Sequence, residues 1–301
     1  LVGVVSGDDV TLDSSSAAGE FATATVGVGK TVTVSGLALG GADAGNYTLS
    51  QPTTTANITK AVAVVTLTAE DLAQTYNRTG RAVSATTDPV GLTTVITYNG
   101  AASAPTNAGS YTVIATVTNA NYTGSDTNTL VVSPATLTVS NLLANSRVYN
   151  GTNTATISAG DASLVGVYAG DTVTLVTNGY SATFADKVVG AGIEVTITNL
   201  SLAGASAGNY ELDQPVTATA DITAKNLTVT GVVAANKVYD GETTAEVYFT
   251  NAVLVGVVSG DDVTLDSSSA AGEFATATVG VDKTVTVSGL GLGGADANNY
   301  A

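Results

Sequence analysis

Asp43-Ala44-Gly45-Asn46-Tyr47-Thr48-Leu49 is the stretch on which the fold turns. A glycine inside a short polar run favours a tight turn, and a Tyr followed by alternating polar and apolar residues favours the start of a strand. The stretch returns as Ser206-Ala207-Gly208-Asn209-Tyr210-Glu211-Leu212 and as Asp296-Ala297-Asn298-Asn299-Tyr300. A related form is Asn107-Ala108-Gly109-Ser110-Tyr111-Thr112-Val113. Recurrence on this scale is the mark of a repeated unit.

Outward from these turns, residues 1–48 recur at 254–301, and only Gly29/Asp282, Ala38/Gly291, Gly45/Asn298 and Thr48/Ala301 differ. A weaker repeat turns Val148-Tyr149-Asn150-Gly151 into Val238-Tyr239-Asp240-Gly241, and Leu164-Val165-Gly166-Val167 into Leu254-Val255-Gly256-Val257. The chain thus reads as four pieces. Residues 1–60 are the C-terminal part of a long unit, 61–135 a complete unit of a shorter type, 136–225 a complete long unit, and 226–301 the N-terminal part of another. Both ends fall inside units, so the expectation is a window cut from a continuous array. Separate chains that complete one another by donating strands are the alternative.

Period-two alternation dominates, as in Thr31-Val32-Thr33-Val34, Glu194-Val195-Thr196-Ile197-Thr198 and Thr284-Val285-Thr286-Val287. β-branched residues suit a pleated, half-buried surface, and Gly, Asn and Asp break the runs at short intervals. The expected class is all-β. After Val195 and Ile197 the apolar parity moves to Leu200 and Leu202, and after Val32 and Val34 to Leu37 and Leu39. A flip beside Asn199 and Gly36 predicts a β-bulge or a strand that changes sheets.

The opening stretch resembles the Asp-x-Gly-x-Tyr-x-Cys signature that leads into strand F of immunoglobulin domains. That resemblance implies tandem immunoglobulin-like antiparallel β-sandwiches. It also implies a tyrosine corner at Tyr47, Tyr111, Tyr210 and Tyr300, with each hydroxyl bonded to upstream backbone. Leu49, Val113 and Leu212 stand where that family has a disulfide cysteine and are expected in the core. The chain has no Cys and no Trp. A β-grasp is the runner-up, above all for the short unit.

Lys237-Val238-Tyr239-Asp240-Gly241, Val258-Ser259-Gly260-Asp261-Asp262 and Gly294-Ala295-Asp296-Ala297 resemble the YDG domain of bacterial surface proteins. The complete long unit departs from it at Asn150. Thr75-Tyr76-Asn77, Tyr98-Asn99-Gly100 and Ala104-Pro105-Thr106-Asn107-Ala108-Gly109-Ser110-Tyr111 resemble the MBG domain of the same proteins. The resemblance covers essentially the whole chain. It implies an extracellular, cell-attached, structural role in filamentous haemagglutinin-like adhesins, with neighbouring repeats as partners, and it supplies no catalytic residue.

The net charge is −16, from 25 acidic and 9 basic residues, which disfavours nucleic acid and anionic membrane as partners. No apolar run approaches the roughly 20 residues of a membrane span. With His absent as well as Cys, histidine-based nucleophilic triads and the usual zinc sites are missing, and the chain reads as no enzyme and as binding no cofactor. Asp8-Asp9 and Asp261-Asp262 could pair as carboxylates, but a glycosidase needs them separated across a cleft. Asp8, Asp9, Asp13 and Glu20 invite calcium. Their counterparts Asp171, Thr172, Val176 and Thr183 keep one acid, so no metal is expected. Lys60 and Lys225 read as matching unit-end charges, and Lys237 answers to Arg147, which argues against an isopeptide crosslink. The sequons Asn46-Tyr47-Thr48 and Asn121-Tyr122-Thr123 carry no weight in so Asn/Thr-rich a chain. The functional expectation is a stalk repeat. A repeat module that binds a carbohydrate or host protein is the alternative.

Overall fold

Val195 and Ile197 are fully buried while Glu194 between the strand's apolar positions is exposed. They lie in the strand Gly190–Thr198, so the alternation read in the sequence is a one-sided sheet. The computed structural model describes residues 1–301. Strands hold 46% of them and no helix reaches seven residues, so the chain is all-β and of the sandwich type. It forms two bodies, Leu1–Ala135 and Thr136–Ala301.

In the second body the complete long unit has one sheet in the order Arg147–Val148, Val216–Thr223, Gly190–Thr198, Ser181–Phe184. Further strands run Ser163–Val165, Ala135–Ser140, Tyr210–Leu212, and Thr174–Val176 pairs with Ser201–Ala203. Both sets pack on one core, in which Tyr149, Phe184, Val195, Ile197 and Ile222 are buried and Val139, Leu175 and Leu212 lean against it. At Asn199 the backbone turns left-handed (φ +60°). Before it the strand pairs with Val216–Thr223, and after it Ser201–Ala203 pairs with Thr174–Val176. The parity flip is therefore a change of sheet. Gly36 repeats the device at φ +74°, where an added Cβ would lie 2.1 Å from the Ser16 carbonyl oxygen. Only glycine fits so close an approach.

Residues 1–60 hold the matching strands Ala18–Phe21, Gly27–Ser35 and Thr53–Ile58, and the pair Thr11–Asp13 with Ala38–Gly40. Val32 and Val34, the counterparts of Val195 and Ile197, are only half-buried there. Residues 226–301 bury Ala245, Asn299 and Tyr300.

The short unit runs Thr94–Tyr98, Gly109–Val117, Ser125–Ser133, Ala73–Thr75 in its main sheet, with Val64–Leu67 paired to Ala85–Asp88. Its one helical piece is the four-residue 3-10 turn Ala69–Leu72. A β-grasp needs a helix long enough to cover a sheet, so the runner-up fold is set aside. Most ladders are antiparallel. Several short ones are parallel, a feature not read from the sequence, among them Ala73–Thr75 on Ser125–Ser133, Arg147–Val148 on Val216–Thr223, and Ala61–Val62 on Tyr122–Thr123.

Candidate functional site: the junction between units

Each long unit has a single-turn 3-10 segment just before its tyrosine, Ala44–Asn46, Ala207–Asn209 and Ala297–Asn299. The Tyr210 hydroxyl accepts the Tyr168 N–H at 3.0 Å and donates to Asp171 Oδ2 at 2.6 Å. Tyr47 does the same with Val5 N–H and Asp8, and Tyr300 with Val258 N–H and Asp261. These hydroxyls reach a loop far upstream, and the carboxylate partner was missed in the sequence although Gly-Asp recurs before each tyrosine. Tyr210 opens the strand Tyr210–Leu212, whereas Tyr47 lies outside any strand and Tyr300 makes a single bridge. Tyr111 differs: it is the third residue of Gly109–Val117 and donates to the Asn107 carbonyl at 3.0 Å, four residues upstream. Of the residues at the cysteine position, Val113 is fully buried, whereas Leu49 and Leu212 are half-buried. Tyr210→Phe should lower stability by about 1–2 kcal/mol, one well-placed hydroxyl's worth, read as a urea midpoint. Leu212→Ala should cost about half of the 2–5 kcal/mol lost by a fully buried leucine.

The complete long unit passes into the next with only Ala224 between the strand Val216–Thr223 and the bridge from Lys225 to Tyr300. Lys225 N–H donates to the Asn299 carbonyl, Ala301 N–H to the Lys225 carbonyl, and Leu227 N–H to the Ala301 carbonyl. Across this junction the motif Tyr149-Asn150-Gly151 meets the following unit. The Tyr149 hydroxyl donates to Asp261 Oδ2 at 2.9 Å, so that one carboxylate oxygen holds both Tyr149 and Tyr300. The two rings meet edge to face, 5.5 Å apart at 77°, a favourable aromatic geometry. Gly151 has φ +78°, and a Cβ there would stand 2.8 Å from Val258 Cγ1. Asn299, 5% exposed, accepts the Val189 N–H at 3.0 Å.

Each motif residue thus has a physical task. The tyrosine docks, the glycine allows close approach, and the Asx residue makes the turn. Asn150 Oδ1 accepts the Thr152 N–H, Asp240 Oδ1 the Glu242 N–H, and in the short unit Asn77 Oδ1 the Thr79 N–H. Arg147 bridges Asn150 and the Thr152 carbonyl, and Lys237 bridges Asp240 and the Glu242 carbonyl. Tyr76 N–H donates to the Ser133 carbonyl as Tyr149 N–H does to Thr223. The two unit types share this edge.

The junction from residues 1–60 into the short unit is built alike. Ala61 N–H donates to the Asn121 carbonyl, Ala63 N–H to the Thr123 carbonyl, and Asn121 Oδ1 accepts the Val26 N–H at 3.0 Å. Val26 answers to Val189 in the internal repeat. Asn121-Tyr122 therefore takes the place of Asn299-Tyr300, and Tyr111, read from the sequence as that counterpart, does not. The register also corrects the pairing of Lys60 with Lys225. Asn57 and Asp221 occupy equivalent positions, each accepting a glycine N–H, so Lys60 answers to Ala224 and Ala61 to Lys225. Asn299→Ala should cost about 1–3 kcal/mol because it strands a half-buried N–H. Asn46→Ala, at an exposed counterpart, should leave the urea midpoint unchanged.

Burial, and then the bond to Asp261, push the Tyr149 hydroxyl up to about 12. Burial, followed by the Asp171 and Asp261 bonds, also raises Tyr210 and Tyr300, whereas for Tyr47 the Asp8 bond leads. The other acids of the tempting pairs hold loops. Asp262 Oδ2 accepts the Ala295 N–H, and Asp296 Oδ2 the Asp262 N–H, as Asp9 and Asp43 do with Ala42 and Asp9. Asp13 accepts the Ser15 N–H, and bonding first from the Ser15 side chain and then from this backbone group holds it below the usual carboxylate range.

Comparison with family models matches the YDG domain to residues 1–56, 133–219 and 223–301, and the MBG domain to residues 63–136. Neither the curated proteins nor the solved structures yield a match. With three YDG matches that together span most of its length, the chain belongs to the YDG domain family and carries an MBG domain between the first and second of them.

Proposed function

We propose that this chain is a structural segment of a bacterial extracellular adhesin or surface fibre, with a mechanical rather than a catalytic task. The observation that carries the reading is the junction within Thr136–Ala301, where two units meet through buried side chains with one residue between their strands. A flexible Gly/Ser tract would let units move independently, and no such tract lies at this junction or before Ala61. The acidic surface supports the same reading, since repulsion between copies keeps many strand edges from pairing. Protease shaving of intact cells of the native producer should release peptides of this chain. Recovery only after lysis would overturn the surface assignment. A glycan and host-protein array probed with the chain should stay silent, and specific, saturable binding would replace the stalk with a ligand-binding module.

A further inference from the structure

Three donors converge on one amide oxygen in the motif of the complete long unit. Asn150 Oδ1 accepts the Thr152 N–H at 3.0 Å, the Thr152 hydroxyl at 2.9 Å and one arm of the Arg147 guanidinium. The other arm reaches the Thr152 carbonyl, and the guanidinium lies over the Phe184 ring at 5.2 Å. These partners are all neutral, and burial pulls Arg147 below its ordinary value. In the next unit the same place holds an acid, and Lys237 Nζ stands 2.9 Å from Asp240 Oδ1. The cation at Arg147 thus has the setting of an ion pair and meets an amide instead. Gly151 follows Asn150, and the bond from the Thr152 N–H to Oδ1 closes a ring that contains the Gly151 nitrogen. The side-chain Cγ is therefore folded back along that peptide. The Gly151 N–H has no backbone acceptor, Gly151 has no side chain to obstruct ring closure, and Asn150 is open to water.

We propose that Asn150 is a self-processing site that deamidates to aspartate, giving Tyr149-Asn150-Gly151 the acid that Tyr239-Asp240-Gly241 already has. The Gly151 nitrogen gives its proton to water and bonds to Asn150 Cγ. The Cγ–Nδ2 bond breaks, and Nδ2 takes up a proton and leaves as ammonia. Water then adds to Cγ of the cyclic imide, the bond from Cγ to the Gly151 nitrogen breaks, the nitrogen regains its proton, and Cγ becomes a carboxylate. Negative charge gathers on Oδ1 in both additions, where Arg147 and Thr152 already donate, and donors so placed stabilise it. They polarise Cγ rather than the backbone carbonyl, so water opens the imide toward aspartate in preference to isoaspartate. The product pairs with Arg147 as Asp240 does with Lys237. The short unit supplies a contrast. Asn77 Oδ1 accepts the N–H and hydroxyl of Thr79 in the same turn, but Arg78 stands in the glycine position and its side chain hinders ring closure.

Peptide mass spectrometry of the full chain, freshly purified and then held at mildly alkaline pH over a time course, tests the proposal. Asn150 should change from amide to acid with aspartate the major product, while Asn77 stays an amide. The other two Asn-Gly pairs, Asn99-Gly100 and Asn178-Gly179, report the background rate in the same sample. Arg147→Gln and Thr152→Val should each slow conversion at Asn150 about tenfold, less than the loss of such a donor in a water-excluded site, and leave Asn178 unchanged. Thr152 is exposed, so its variant keeps the test decisive if Arg147→Gln does not fold. In urea-unfolded chain the dependence on both residues should vanish. An Asn150 that remains an amide while Asn178 converts would overturn the proposal. So would conversion at the wild-type rate in both variants, or isoaspartate as the major product of the folded chain.

Discussion

Tyr149→Ala should destabilise the body Thr136–Ala301 by about 3–5 kcal/mol, the range for removing a buried aromatic side chain. The ring is 2% exposed and belongs to the cluster of Phe184, Ile197 and Ile222, so truncation opens a cavity in the complete unit. It also removes the edge-to-face partner of Tyr300 and one of the two hydroxyls on Asp261. Both losses fall on the following unit. Tyr149→Phe separates the two contributions, because it keeps the packing and should cost only about 1–2 kcal/mol, the worth of the hydroxyl bond. Tyr239→Ala serves as the internal control at the same motif position. Its side chain is 65% exposed, and its removal should leave the urea midpoint of a dilute chain unchanged. If Tyr149→Ala proved as mild as Tyr239→Ala, the tyrosine of the motif would have no part in holding units together.

The fold was legible because its signals are local. Val195, Ile197 and their alternating threonines announce a one-sided strand, and the flip at Asn199 announces a change of sheet. The short polar turn that ends in Asn-Tyr marks the same point in every long unit. The parallel ladders were not legible, because the partner of Arg147–Val148 lies at the far end of its unit and nothing in two residues encodes it. The correction at Tyr111 has a related cause. Asn107-Ala108-Gly109-Ser110-Tyr111 copies the pattern of the corner, while Asn121-Tyr122 copies its pairing, and only the backbone bonds to Ala61 and Ala63 tell them apart. Lys60 and Lys225 look alike as unit-end charges, but with one extra residue between Pro215 and Asp221 relative to Pro52 and Asn57 they stand one position apart. Such a shift is invisible until a bond such as Gly192 N–H to Asp221 sets the register. Least legible was the junction itself. Tyr149 is an ordinary motif tyrosine within its unit, and its task appears only where Asp261 of the next unit meets it.

Alkaline pH should loosen the same junction. Burial and the Asp261 bond hold the Tyr149 hydroxyl up at about 12, from an ordinary 10.0. Tyr300, on the same carboxylate oxygen, is raised by burial and then by that bond. A raised folded value means that the fold prefers the neutral phenol. The resulting stabilisation is complete below pH 10 and disappears as the pH climbs from there through about 12, where the folded protein itself ionises. The urea midpoint of Thr136–Ala301 should therefore be flat up to about pH 10 and then fall. At full loss the fall is worth about 1–2 kcal/mol, allowing for solvent screening at the edge of the junction. The two phenols titrate as a pair, since ionising one places a second negative charge beside Asp261. Tyr149→Phe should thus remove part of the alkaline loss and leave the Tyr300 part. Asp261→Asn keeps the burial but removes the fixed charge, so both phenols should ionise at lower pH and the loss should shrink. Tyrosinate absorbance followed beside the urea midpoint gives both quantities in one titration. A midpoint that stays level between pH 10 and 12, or falls equally in wild type and Tyr149→Phe, would show that the Tyr149 hydroxyl does not couple the two units.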